Sequence, residues 1–380
     1  MNRKWRLILP ALFLMGWLLA TIPASTPGAA ARPAPQELRG VWMTGNDMAT
    51  LRNRSKMQRA VSTLGKLNFN TIYPVVWNGG YAYYPSDVTR ERGLQSFTFK
   101  GLDGQDILAE LIAEGHANKL RVIPWFEFGF MTDPGSALAR KHPSWLTQKQ
   151  DGGLTSISAA GEVAWLNPLR PEVQEFITDL VMEVVSQYDG DGIQFDDHMS
   201  LPSEFGYDPY TIAAYKRETG KSAPSNPRDS EWLRWRADKL TAFMTSLQKK
   251  IKAEKPDHVI SISPNYYAFA YKLQLQDWLK WVRKEIVDEL IVQVYRPDLE
   301  SFQPQLIRPE ILESKKAIPT AVGIMTGQRT KPVPMDLIQS QVMAARQEGL
   351  GVAFFYFESL WESTGEKVED RLTAFQALFS

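Results

Sequence analysis

The chain of 380 residues contains no cysteine. Disulfides, thiolate metal sites, a cysteine nucleophile and a lipidated-cysteine anchor are therefore excluded. Histidine is scarce, with four residues: His116, His142, His198 and His258. None falls in an H-x-H or H-E-x-x-H pattern, so the usual zinc-hydrolase signatures are missing. No G-x-S-x-G elbow occurs, and a serine triad would lack its nucleophile turn. A glycine-rich phosphate loop is also absent. There is no charge excess of either sign, because 43 Lys and Arg balance 43 Asp and Glu. That balance gives no electrostatic reason to expect a nucleic-acid partner.

Long apolar runs are equally rare. The one that stands out covers Leu7–Ala20, behind Arg3, Lys4 and Arg6 and ahead of Ala24-Ser25 and Ala29-Ala30-Ala31. A basic start, a short apolar core and small residues predict a secretory signal peptide and linker over residues 1–35. The run falls short of the roughly 20 residues that span a bilayer comfortably. The expectation is an exported protein, periplasmic or extracellular, with an uncleaved leader as its only route to a membrane.

Residues 36–380 read as one domain with 44% apolar and 23% charged residues over the whole chain, ordinary for a soluble globular fold. Strand-like runs occur at Glu37–Thr44, Asn70–Trp77, Arg121–Phe128, Gly192–Asp197, Val259–Ser263, Glu289–Tyr295, Ala317–Gly323 and Gly351–Phe357. Helix-like stretches separate them, including Ser55–Leu67, Gln105–Asn118, Val173–Tyr188, Glu231–Glu254 and Met335–Glu348. Most strands are apolar without alternation, as sheets covered on both faces require. Eight such units predict an α/β fold, a single (β/α)8 TIM barrel with long βα loops. The long loops are Asn78–Gly104, Phe128–Pro171 and Met199–Arg228, all expected on the catalytic face.

In such a barrel the C-terminal strand ends carry the chemistry. The fourth strand ends in Asp196-Asp197-His198. Strict alternation gives Gln194 and Asp196 one face and Asp197 the other, so Asp196 is the expected inward carboxylate. Glu127 ends the third strand between aromatics, where burial would raise its pKa as a general acid needs. Asp197 and Glu358 are the further carboxylate candidates, and Asp47 could reach the same mouth from the loop after the first strand. Asn265, Gln293, Tyr295 and Arg296 supply amide, phenol and guanidinium groups suited to sugar hydroxyls. Trp77, Trp125, Tyr295 and Trp361 offer rings for stacking on sugars. His198 would orient Asp196 or line the cleft. Each residue also has a structural reading: a cap for the aspartates, an ion pair for the glutamates, core packing for the rings.

Several segments occur together in a known order: ELRGVWMT at Glu37–Thr44, LNFNTIYPVVW ending at Trp77, WLNP at Trp165–Pro168, DGIQFDD at Asp191–Asp197, ISISPNYY at Ile260–Tyr267 and VQVYRPD at Val292–Asp298. This set resembles the glycosyl-hydrolase-like family 10 proteins, relatives of the amylase type of barrel, across Glu37–Phe379. The resemblance implies an exported bacterial protein that cleaves O-glycosidic bonds, some relatives acting on cell-wall glycan. In amylase-like barrels a D-G-[FI]-x-x-D pattern delivers the nucleophile, and Asp196 falls on it. That pattern usually holds Arg where this chain has Gln194, and a Glu acid where it reads Ser263-Pro264-Asn265. The general acid must then come from elsewhere, with Glu127 preferred to Asp197 and Glu358.

The expected function is a two-carboxylate glycoside hydrolase acting on a polysaccharide without a cofactor or metal. A non-catalytic glycan-binding barrel is the alternative, motivated by the missing strand-five acid. A metal-dependent deacetylase built on Asp196, Asp197 and His198 is the third reading.

Overall fold

The computed structural model describes residues 37–94, 105–158, 161–328, 331–362 and 364–380. The expected leader lies outside the described residues. Among the described helices none is long and apolar enough to cross a membrane.

Eight parallel strands form the barrel: β1 (Arg39–Met43), β2 (Thr71–Pro74), β3 (Arg121–Val122 and Trp125–Phe126), β4 (Gly192–Asp196), β5 (Val259–Ser263), β6 (Glu289–Gln293), β7 (Thr320–Met325) and β8 (Gly351–Phe355). β1 pairs with both β2 and β8, and each later strand pairs with the next. The ring closes through β3, which is split. Its first half pairs with β2 and its second half with β4. Pro124 lies at the break and has no N–H to give to a ladder. Its carbonyl instead accepts from Gln194 N at 2.8 Å, carrying the ladder across to β4.

Outward-facing apolar residues of the strands, among them Val41, Ile72, Ile193, Ile262, Val322 and Phe354, are fully buried against the helices. Each such side chain contributes about 1.5–3 kcal/mol of apolar burial. The helices begin where polar caps sit. Asn53 caps Arg54–Lys66, Asp106 caps Ile107–Ala117, and Asp229 caps Ser230–Glu254. Arg54–Lys66 buries Met57, Ala60, Val61 and Leu64, one stripe at helical spacing.

The barrel interior is partly polar. Arg121 and Glu289, 3% and 1% exposed, form an ion pair at 2.6 Å near the bottom. Tyr73 donates to the same carboxylate at 2.7 Å, and Arg121 Nε donates to Thr71 at 3.2 Å. One layer higher, Trp42 Nε1 donates to Gln194 at 2.6 Å, and Gln194 donates to Ser261 at 2.9 Å. These bonds satisfy groups that would otherwise be costly to bury.

The long loops gather at the C-terminal end. Asn78, Glu162 and Asp197 meet there at one cleft, although they come from different strands. The loop after β3 folds into a small antiparallel sheet of Met131–Thr132, Gly161–Trp165 and Thr155–Ser158. The loop after β4 braces it through buried Asp208, which accepts from Thr147 at 2.9 Å and Asn167 at 3.0 Å.

Glu289→Gln would leave the Arg121 cation buried without its counter-charge. The expected loss is about 3–5 kcal/mol of unfolding free energy, read by urea denaturation. A loss under about 1 kcal/mol would mean that the pair does not hold the barrel floor.

Candidate active site

β3 and β4 are neighbours, so their ends deliver Glu127 and Asp196 side by side at the barrel mouth. β4 stops at Asp196, where a tight turn begins. Met199 N donates back to Asp196 O at 3.2 Å, and Gln276 Nε2 reaches the same carbonyl at 2.7 Å. The turn overrides strand alternation. Asp197 therefore does not take the opposite face, as alternation predicts, but lines the same cleft as Asp196. The physical reason is that the period of two applies only while the backbone stays extended.

His198 is the hinge pin of this corner. Its Nδ1 lies 2.7 Å from the Glu127 main-chain oxygen and 3.2 Å from Asp196 Oδ1. Its backbone N donates to Asp196 Oδ1 at 2.9 Å. A carbonyl oxygen only accepts, which assigns a proton to Nδ1. On the other side of the loop, Phe130 N donates to His198 O at 3.0 Å. The two loops approach so closely that a Cβ on Gly129 would lie 2.5 Å from His198 O, and Gly129 also needs φ +48°.

Asp197 is held by neutral amides. Asn265 donates to Oδ2 at 2.8 Å and Gln293 to Oδ1 at 3.0 Å. Glu127 Oε2 accepts from Asn78 at 2.6 Å. The cleft these residues share has a volume of about 980 Å³. Trp42 and Trp125 form part of its floor, with Tyr83, Tyr295 and Phe355 on the walls.

Burial sets the protonation of the two facing acids. It pushes Glu127 up to about 7, against the Asn78 hydrogen bond and with help from the Asp196 charge. Burial also raises Asp196, to about 6, while the adjacent His198 draws it back. Burial opposes the His198 cation, but Asp196 and Asp197 outweigh it and hold the imidazole at about 10. The corner thus carries an acid on Glu127 and a carboxylate on Asp196 across a window near neutrality.

The other candidates divide. Asn265, Tyr295, Trp125 and His198 line the cleft as expected. Trp125 is only 2% exposed and offers little of its face for stacking. Gln194 lies fully buried below the floor, bonded to Trp42 and Ser261. Trp77 is also fully buried, donating to Gly129 O at 3.1 Å and packed edge-on to Phe176, so stacking on sugar is ruled out for it. Trp361 packs edge-on to Phe357 at 5.1 Å beside a separate surface pocket. Glu358 belongs to that pocket and another small one, not to the main cleft. Asp47 does not reach the mouth. It is fully buried, accepts from Thr44 N at 2.6 Å and Glu358 N at 2.8 Å, and ties the loops after β1 and β8 together.

Asn78, Tyr83, Asp133 and Glu162 line the cleft without having been singled out in the sequence. They sit in long loops, and only their position directly behind strands two and three offered a signal.

Asp196, Asp197 and His198 also bring ligand-type atoms within 4.8 Å of one another. His198 Nδ1 carries a proton toward a carbonyl, and both Asp197 oxygens accept from amide donors, so a cation there would share those oxygens with the amides.

A parallel (β/α)8 barrel with paired acids at the C-terminal mouth defines a glycoside-hydrolase type of protein. The chain belongs to the glycosyl hydrolase-like 10 family, whose model matches residues 37–344. It is similar to the glycosyl hydrolase DigH of Escherichia coli K12, 26% identical over 320 residues, covering 73% of this chain and 70% of that one. It is also similar to the glycosyl hydrolase YngK of Bacillus subtilis, 26% identical over 273 residues, covering 66% and 49%. Among solved structures, the glycoside hydrolase domain of PgaB (BpsB) from Bordetella bronchiseptica aligns with a TM-score of 0.64 at 14% identity, covering 91% of this chain and 99% of that one. The last likeness concerns the fold.

The Asn78 hydrogen bond favours the ionised form of Glu127. Asn78→Ala should therefore move the Glu127 titration above about 7, read by carboxyl-region difference infrared spectroscopy against Glu127→Gln. A shift downward would contradict the assigned bond.

Proposed function

We propose that this chain is an exported glycoside hydrolase that cleaves O-glycosidic bonds in a polysaccharide, with bacterial cell-wall glycan as the substrate class. The observation that carries the proposal is the Glu127–Asp196 pair. Two carboxyls from adjacent strands face one open cleft, and the one raised further is the one suited to donate a proton. The family membership and the hydrolase names of the two relatives support the same chemistry.

In this reading Glu127 gives its proton to the glycosidic oxygen as the C–O bond breaks. Asp196 acts at the opposite side, either by bonding the anomeric carbon or by taking a proton from the attacking water. In the first route water then displaces Asp196 from the anomeric carbon as the Glu127 carboxylate takes its proton; in the second, water's proton goes to Asp196; both end with water's hydroxyl on the anomeric carbon. Asp197 stays a fixed charge beside the developing oxocarbenium ion, clamped by Asn265 and Gln293. His198 holds Asp196 in position. The strand-five acid of amylase-like barrels is not needed, because Asn265 has taken its place as a clamp on Asp197.

Glycan hydrolysis followed by reducing-end release tests this directly. Asp196→Asn should lower kcat by about 10⁴-fold, and Glu127→Gln by about 10²–10⁴-fold. Unchanged rates in both would contradict the assigned pair, and binding of glycan without turnover, unaffected by Glu127→Gln, would leave a glycan-binding barrel instead.

The pH profile has a definite sign. Asp196 must be deprotonated, so kcat/KM should rise as pH increases through about 6. Glu127 must be protonated, so it should fall as pH increases through about 7. A profile that climbs steadily to high pH would contradict the roles.

A further inference from the structure

Four buried tyrosines of this chain spend their hydroxyls on protein partners. Tyr73 donates to Glu289 at 2.7 Å, Tyr84 to Glu183 at 2.9 Å, Tyr188 to Asp106 at 2.8 Å and Tyr207 to the Pro224 carbonyl at 2.9 Å. Tyr295, on the cleft wall, differs. Arg296 reaches its main-chain oxygen at 3.0 Å, but its hydroxyl makes no hydrogen bond among the described residues.

The sequence around Tyr295 fixes its ring. β6 ends at Gln293, and Val294 N donates to Gly323 O at 3.1 Å, which keeps the chain against β7 one residue further. Gln293 and Tyr295 therefore share a side, and both line the cleft. The ring packs on Phe355 with centroids 5.6 Å apart. β7 makes room for it, because a Cβ on Gly323 would stand 3.3 Å from the Tyr295 ring and 3.4 Å from Trp42. The ring is thus part of the wall, and the hydroxyl is the uncommitted group.

The neighbouring acids do not claim the phenol proton. Asn78 serves Glu127, Asn265 and Gln293 serve Asp197, and His198 serves Asp196. Ser263 Oγ and Trp125 Nε1 also lack partners, but they are sealed below the floor, whereas Tyr295 is only half-buried. Burial, then Asp197, Asp196 and Glu127, holds the phenol well above its usual range. It stays a neutral donor across the window in which the two acids work.

We propose that Tyr295 is a further catalytic residue, touching the substrate through its hydroxyl, which donates a hydrogen bond to an exocyclic oxygen of the sugar whose anomeric carbon faces Asp196. The inference rests on the glycan reading above and deepens it. A sugar seated between Glu127 and Asp196 carries acceptor oxygens around its ring, and so supplies the partner that the protein withholds. The contact adds no charge and takes no hydrogen bond from the acids. It fixes the tilt of the sugar, and with it the anomeric carbon, over Asp196.

The test compares the full chain with Tyr295→Phe and Tyr295→Leu in reducing-end release from soluble cell-wall glycan strands. Calorimetric binding of the same strands is measured for Asp196→Asn with and without Tyr295→Phe. Tyr295→Phe should keep the thermal midpoint and lower kcat/KM about tenfold, and should weaken binding in the Asp196→Asn background by about the same factor. Its pH limbs should stay at about 6 and about 7. Full activity in Tyr295→Phe, with loss confined to Tyr295→Leu, would make the ring the working part and overturn the proposal. So would displaced limbs, which would mean that the hydroxyl acts through the acids. The two readings fail separately. Strand binding that weakens with Tyr295→Phe, without cleavage by the unaltered chain, would sink the hydrolase and leave this contact standing. Cleavage and binding untouched by Tyr295→Phe would do the reverse, and a chain that neither binds nor cleaves the strands would overturn both.

Discussion

The proton on His198 Nδ1 is the constraint on which the site depends. It lies between the main chain of Glu127 and the carboxylate of Asp196, and so fastens the end of β3 to the end of β4. Neighbouring parallel strands are about 4.8 Å apart, but beyond the ladder nothing fixes the loops that follow. Here the imidazole, the Phe130 N bond to His198 O and the side-chain-free surface of Gly129 do so together. Opening that corner would separate the two acids and remove the mutual burial that raises both.

The corner stands on a graded interior. At the bottom, Arg121, Glu289, Tyr73 and Thr71 form a buried polar group with charges matched. Above it, Trp42, Gln194 and Ser261 form a neutral relay. At the top, His198 is the basic group set against Asp196 and Asp197, and no Lys or Arg lines the cleft among the described residues.

The barrel was legible because each strand is an apolar run with a helical stretch behind it. Val259–Ser263 has the same bounds in sequence and structure. Asp196 and Glu127 were legible because strand ends in parallel barrels meet at one face. What escaped was governed by single backbone events and by loops. A turn at Asp196 reversed the side assigned to Asp197. Asp47 satisfied a backbone N–H of the loop after β8 and was drawn into the interior, where burial pushes it to about 8. Trp77 and Trp361 have the composition of sugar platforms but found apolar partners first. Gln194 occupies a reactive-looking pattern, yet one step down the strand is one layer below the cleft.

The most direct test of the account is a crystal structure of Asp196→Asn with an oligosaccharide spanning the cleft. The account predicts a glycosidic oxygen within hydrogen-bond distance of the Glu127 carboxyl, with the anomeric carbon beside position 196. A glycan bound with its linkage away from both, or bridging Asp197 and Glu358 instead, would contradict it.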